Sequence, residues 1–176
     1  MPTWNTRIPR FEVFHGTDDL SLGLTGLSPG QSLPGFLPNL SLCRPHTEFG
    51  QGFYVTTSDH QARQWANARW VRSPAGGTNA VVLKFVLHRD ALAKMEQLVF
   101  VRPTADFWDL VVDCRHGFPP HQRPAVSVPY DIVYGPVTIW PSRLLIQDCD
   151  QISFHTGRAS ALLSNPTVYE VGNPML

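Results

Sequence analysis

Three short segments, far apart in this chain, bring together residue types that do chemistry: Phe14-His-Gly-Thr17, Phe49-Gly-Gln-Gly-Phe-Tyr-Val-Thr56 and Asp150-Gln-Ile-Ser-Phe-His155. They offer an imidazole, glycines that let a ligand approach main chain, and aromatic faces, each at the edge of a run with strand composition. Taken singly, each has an ordinary explanation. A histidine after a strand is more often structural than catalytic, and Gly-x-Gly beside aromatics is common in turns. Their order and spacing in one chain give them weight. Competing patterns fail. His88-Arg-Asp90 has the form of a kinase catalytic loop, but the asparagine required five residues after the aspartate is Met95, and no Gly-rich nucleotide loop or Asp-Phe-Gly element occurs. His116 and His121 share no helix and lie in a proline-rich stretch, so they read as exposed residues; no metal is expected. Cys43, Cys114 and Cys149 form no CxxC pair and read as small buried hydrophobes; none has a setting that would activate a thiol.

Together the three segments resemble the His-Tyr-Glu class of ADP-ribosyltransferases, the group that includes diphtheria toxin and the poly(ADP-ribose) polymerases. In that class a strand ends in His-Gly-Thr or His-Gly-Ser. A Phe-Gly-x-Gly-x-Tyr-Phe segment leads into a helix, and a glutamate opens a late strand. The chain is most similar to a bacterial branch carrying Tyr/Phe-His-Gly-Thr, Phe-Gly-x-Gly-Phe-Tyr and Asp-Gln-x-x-Phe-His-Thr. The resemblance runs from His15 to Thr156.

What the resemblance implies is an NAD-dependent mono-ADP-ribosyltransferase. NAD carries a cationic nicotinamide on an anomeric carbon, so its departure leaves an oxocarbenium-like ribose. An enzyme must hold the flat ring and put electron density beside the developing cation. By resemblance, the cofactor-binding residues are His15, Gly16, Thr17, Gly52, Phe53, Tyr54 and Trp65, and the catalytic ones are His15, Tyr54 and Gln151. Tyr54 would form one wall of the nicotinamide slot and Trp65, eleven residues on, the other; core packing is the competing explanation for Trp65. The main chain of Gly16 would pair with the carboxamide. His15 would bond a ribose hydroxyl of the adenosine half, supported by Thr17. A serine usual eight residues after the tyrosine is Ala62 here, which removes one contact.

Gln151 aligns where the class has its catalytic glutamate. An amide keeps a hydrogen-bond acceptor but loses the full charge and cannot serve as a base. Poly(ADP-ribose) synthesis is therefore not expected, whereas single transfer or slow NAD cleavage is. Strand alternation turns Asp150 away from Gln151's side, and Asp148 needs a twist to reach it. Glu48 is another candidate acid. The alternatives are an NAD glycohydrolase, a catalytically inactive NAD- or ADP-ribose-binding module, and an RNA 2′-phosphotransferase, which requires several arginines in the pocket. Small solitary domains of this kind suggest a bacterial toxin or phage-defence effector paired with an antitoxin protein. A protein acceptor is preferred over nucleic acid, because Asp18–Thr47 carries few charges and several leucines.

The elements that must position these residues are short. Phe11–Phe14 reads as a strand broken at His15-Gly-Thr17, followed by a long loop to Thr47 with one helical turn. Gly52–Thr56 is a strand. A helix follows, capped by Ser58 with Gln61 completing a capping box; Ala62, Trp65, Ala66 and Trp70 form one face, with Arg63, Asn67 and Arg72 mainly on the other. Ser73–Thr78 is a connector. Ala80–Leu87 is the strongest strand, central in a sheet. A helix over Arg89–Met95, a strand over Gln97–Val101, a helix capped by Thr104 through about Cys114 and a loop over His116–Pro129 follow. Strands at Asp131–Tyr134, Leu144–Ile146 and Gln151–Phe154 precede a helix over Gly157–Leu163. The expectation is one α+β domain over residues 1–176, with split mixed or antiparallel β-sheets, an NAD cleft and a few flanking helices.

Composition agrees with an ordered globular chain: 43% hydrophobic, 16% charged, sixteen prolines and thirteen glycines, the last two favouring turns. The formal net charge is zero, so no general attraction to nucleic acid or anionic membrane follows; the sum says nothing about how the charges are distributed. Met1–Pro9 lacks the apolar run of a signal peptide, and the longest apolar stretches are strand-sized. A cytoplasmic protein without membrane contact is expected.

Overall fold

Alternating apolar residues build seven strands that form one mixed sheet in a computed structural model, which describes residues 9–72, 79–118, 121 and 128–172. The strands are β1 (Arg10–Asp18), β2 (Phe53–Thr56), β3 (Ala80–His88), β4 (Gln97–Val99), β5 (Ile132–Ile139), β6 (Leu144–Phe154) and β7 (Thr167–Gly172), in the order β4-β5-β6-β2-β1-β3-β7. All neighbours are antiparallel except β4 and β5. The helices are α1 (Asp19–Leu22), α2 (Asp59–Val71), α3 (Arg89–Leu92), α4 (Ala105–His116) and α5 (Gly157–Ser160), with 3-10 turns at Leu40–Leu42 and Ala161–Leu163. An α+β architecture is thus what the chain adopts.

The expected split into separate sheets is replaced by a single sheet with a weak middle. β1 and β2 share one register pair, Phe14 with Thr56, whereas β1 pairs with β3 along its whole length. Paired residues share a face. Phe14, Thr56 and Tyr54 therefore look the same way as Gln151, Ser153 and Val133, and this face is covered by α2 and α4. There Ala62 and Ala66 pack on Phe14 and Val82, and Phe107 and Val111 pack on Phe49 and Val133. The opposite face carries the larger core, with Val13, Val55, Leu83, Phe85, Ile152 and Phe154, closed by Leu33 and Leu163.

Several local expectations need correcting. His15-Gly-Thr17 does not break the first strand; β1 runs through it to Asp18, because β3 supplies partners for every one of these residues. The strands expected at Leu144–Ile146 and Gln151–Phe154 are one, β6, which passes through Asp148 with φ of 58°. β7, unassigned from sequence, forms the edge beside β3. It also anchors the long loop: Val168 N–H donates to Gln31 O at 2.8 Å, Gly30 N–H to Val168 O at 2.8 Å and Leu33 N–H to Pro166 O at 2.9 Å. Ser58 and Thr104 cap α2 and α4 as expected. Gln61 does not turn back on Ser58; its Oε1 faces the Cys149 thiol at 3.7 Å. The connector Ser73–Thr78 and most of the Pro119–Ser127 stretch lie outside the described residues.

Gly16 is fixed by packing. A Cβ there would stand 2.0 Å from the Ala62 carbonyl oxygen and 2.6 Å from the Ala66 nitrogen, both backbone atoms of α2. Gly16→Ala must push the helix off β1, and we expect it to cost about 3 kcal/mol, read as a lowered urea midpoint with an unchanged m-value.

Candidate functional site

Where β1 and β2 cease to pair, the sheet opens into a cleft of about 570 Å³. This is the size of an ordinary small-molecule site. One wall is His15, Gly16 and Thr17 on β1; the other is Gly52, Phe53 and Tyr54 on β2; Phe36, Leu37, Leu42 and Arg44 from the long loop close it. The two walls are tied by a side chain where the ladder stops. His15 Nδ1 lies 2.7 Å from the Tyr54 carbonyl oxygen, and the imidazole stacks on Phe53 with ring centroids 4.2 Å apart.

His15 is held to about pH 4 in its titration, chiefly by burial, with the Tyr54 carbonyl opposing and Arg69 adding to the depression. The ring is neutral at physiological pH. A carbonyl can only accept, so Nδ1 carries the proton and Nε2 keeps a lone pair. Tyr54 serves differently. Its hydroxyl accepts from Phe49 N–H at 2.8 Å, donates to Gly50 O at 2.8 Å and lies 2.8 Å from Thr47 Oγ1. Gly50, with φ of 82°, makes that turn feasible. Burial pushes the phenol far above its ordinary range. Its oxygen is committed to holding the Thr47–Gly50 turn, and its ring stacks on Phe49 while Tyr54 lines the cleft.

Gln151 is not at the cleft. It is 1% exposed, and its amide nitrogen donates to Glu48 Oε2 and to Pro136 O at 3.2 Å. Glu48 is buried too: its Oε1 accepts from Thr138 N–H at 2.9 Å and from the Thr138 hydroxyl, and Arg115 stands 3.7 Å away. Burial raises the Glu48 carboxyl above its ordinary value against the opposing pull of Thr138, Gln151 and Arg115. Asp150 faces the other way, to the Tyr134 hydroxyl, and Asp148 is exposed. The structure thus brings His15, Gly16, Thr17, Gly52, Phe53 and Tyr54 together and leaves Gln151 behind the Tyr54 wall.

Trp65 lines neither wall of this cleft. It belongs to an adjoining concavity that shares Gly16, Ser21, Arg44, Thr47 and Arg69 with the first. Arg69 spans their boundary, with Nε 3.1 Å from Asp18 Oδ2 and Nη2 donating to Ser21 Oγ at 2.9 Å. Sequence reasoning missed these arginines, and it misplaced two other residues. His121 is buried, 7% exposed, its ring 4.4 Å from that of His155; Cys43 is only half-buried, in the cleft wall. Helical spacing from Trp65 to Arg69 and Arg72 was the available signal for the arginines; nothing local marks His121.

Gln151→Glu would set a second carboxylate against Glu48 in a buried site, where one must hold a proton. Loss of about 3 kcal/mol is expected at pH 7.5. A carboxyl raised above its unfolded value binds more protons in the folded state, so this variant loses stability as pH rises through that value and regains it below the ordinary carboxylate range. The double variant Glu48→Gln/Gln151→Glu restores one charge and one donor and should recover most of the loss; urea unfolding at pH 5 and 7.5 reads all three.

No curated protein and no solved structure matches the chain. Residues 36–139, more than half of it, match the family model described as Protein of unknown function (DUF3990), a span that holds the long loop's second half, β2 and α2 but neither His15 nor Gln151. By that match the chain belongs to the family described as Protein of unknown function (DUF3990).

Proposed function

We propose that the chain is an ADP-ribosyltransferase-like domain that binds NAD in the cleft between β1 and β2 and transfers one ADP-ribose from it. The observation that carries this reading is the meeting of His15-Gly-Thr17 and Gly52-Phe-Tyr54 as opposite walls of one cleft, at the point where their strands part. The residues present fit the dinucleotide. A neutral His15 with its Nε2 lone pair suits a ribose hydroxyl donor, and the Tyr54 ring, fixed by its hydroxyl, suits a flat cationic ring. Bound there, NAD supplies an anomeric carbon whose bond to nicotinamide breaks with the electron pair leaving on the ring, while an acceptor nucleophile bonds that carbon and gives its proton to solvent.

No Asp or Glu is among the described residues lining this cleft, and Asp18 beside it is taken up by Arg69. A carboxylate's stabilisation of developing positive charge is therefore missing from the walls. That supports single, slow transfer over chain elongation. The same observation favours a second reading, an NAD- or ADP-ribose-binding module without turnover.

Incubation with labelled NAD, with and without lysate, separates them: label on a macromolecule marks transfer, free ADP-ribose marks hydrolysis, and binding alone marks the module. His15→Ala should weaken NAD binding about tenfold and Tyr54→Ala at least as much. Binding should be flat from pH 8 to about 5.5 and fall toward pH 4, where His15 takes a proton on Nε2 and loses its acceptor. Unchanged calorimetric affinity in both variants sinks the assignment.

A further inference from the structure

The concavity beside the cleft, about 620 Å³, is lined by Trp65, Ala68, Arg69 and Arg72 from α2, with Arg44 from the long loop. Trp65, Arg69 and Arg72 recur at helical spacing, so one face of α2 presents an aromatic ring followed by two guanidinium groups. This differs from the division expected from sequence, in which Arg72 falls opposite Trp65. Trp65 is half-buried and Arg44 and Arg72 are exposed. Asp18 is the one acidic residue among the described lining, and it lies against Arg69 at 3.1 Å. Arg44 and Arg72 have no ion-pair partner among the described residues. In a chain of zero net charge, this mouth is locally positive.

A π face next to uncompensated guanidinium groups recognises an aromatic base joined to phosphate. We propose that this concavity binds a nucleotide of single-stranded nucleic acid, the base stacked on Trp65 and the flanking phosphates paired with Arg44 and Arg72. Its junction with the cleft at Gly16 and Thr47 makes it the entry for an acceptor, a role that rests on the NAD reading above. The binding itself does not rest on it. The acceptor class thus shifts from the protein favoured by the leucine-rich loop to nucleic acid.

The test uses fluorescently labelled single-stranded RNA and DNA oligonucleotides, titrated without NAD, and NAD titrated separately. Arg72 lines only the second concavity and sits at the exposed end of α2, so its replacement spares the fold. The wild type should bind an oligonucleotide with affinity that falls as salt rises. Trp65→Ala should weaken it at least about fivefold. Arg44→Ala/Arg72→Ala should weaken it further and reduce the slope of log K against log salt by about 1.4, two phosphate contacts on a single strand. Arg72→Glu should abolish oligonucleotide binding while leaving NAD affinity intact, and Arg72→Lys should restore part of it. No oligonucleotide binding by the wild type, or binding indifferent to Trp65→Ala and Arg72→Glu, overturns the proposal. So does an equal loss of NAD affinity in Arg72→Glu, which would give the concavity to the dinucleotide. Oligonucleotide binding without NAD binding leaves this site standing and removes the transferase reading instead.

Discussion

One register pair, Phe14 with Thr56, joins β4-β5-β6-β2 to β1-β3-β7, and a single pair cannot hold two half-sheets together by its own hydrogen bonds. Two other features share the strain. His15 reaches across the gap to the Tyr54 carbonyl where the ladder has stopped. α2 leaves the end of β2 through the Ser58 cap and lies on β1 and β3, strapping the halves together with Ala62 and Ala66. The helix can come that close only because position 16 has no side chain. Cleft and strap are thus two consequences of one arrangement: the strands part, so something must cross over, and the crossing helix demands Gly16.

The Thr47–Gly50 turn is fastened from two sides. The Tyr54 hydroxyl bonds its main chain, while Glu48 sinks its carboxylate between Thr138 and Gln151, and Phe49 enters the core fully buried. Burying a carboxylate is costly unless its oxygens are satisfied, and here the Thr138 amide and hydroxyl, the Gln151 amide and Arg115 converge on it. The result fixes Tyr54, whose ring position depends on the turn its oxygen holds.

This explains what was readable in the sequence. Caps at Ser58 and Thr104 are local chemistry and were legible, as was the strong apolar run of β3. The segments His15-Gly-Thr17 and Gly52-Phe-Tyr54 could be singled out as patterns, and they do converge on one cleft. Their physical roles could not be read. Gly16 looks like a turn residue, but its reason is a helix that arrives from elsewhere in the chain. Gln151 looks like a site residue at a strand edge, but Glu48, over a hundred residues earlier, draws it inward. The continuity of β6 through Asp148 and the pairing of β7 depend on partners that no local window contains. His121, amid prolines, reads as exposed and is buried against His155 for the same reason.

The Glu48–Gln151 pair also bears on where negative charge lies. The resemblance puts a glutamate at position 151; this chain has an amide there and a buried carboxylate one contact away. In this chain that point in the fold holds one carboxylate, Glu48, and one amide donor, Gln151. Both side chains, and the charge with them, lie behind the Tyr54 wall. It is still felt there, since Glu48 is among the groups that raise the Tyr54 phenol. In the proposed reading, the aromatic face that meets the cationic ring is backed by a carboxylate in a low-dielectric interior, which makes that face more attractive to a cation than a tyrosine in neutral surroundings. Such backing strengthens the ground-state hold on the ring as much as it assists the departing bond, and interactions of equal strength in both states favour binding over turnover. In that reading, a carboxylate held behind the cleft wall rather than in it favours retention of the ligand over its turnover.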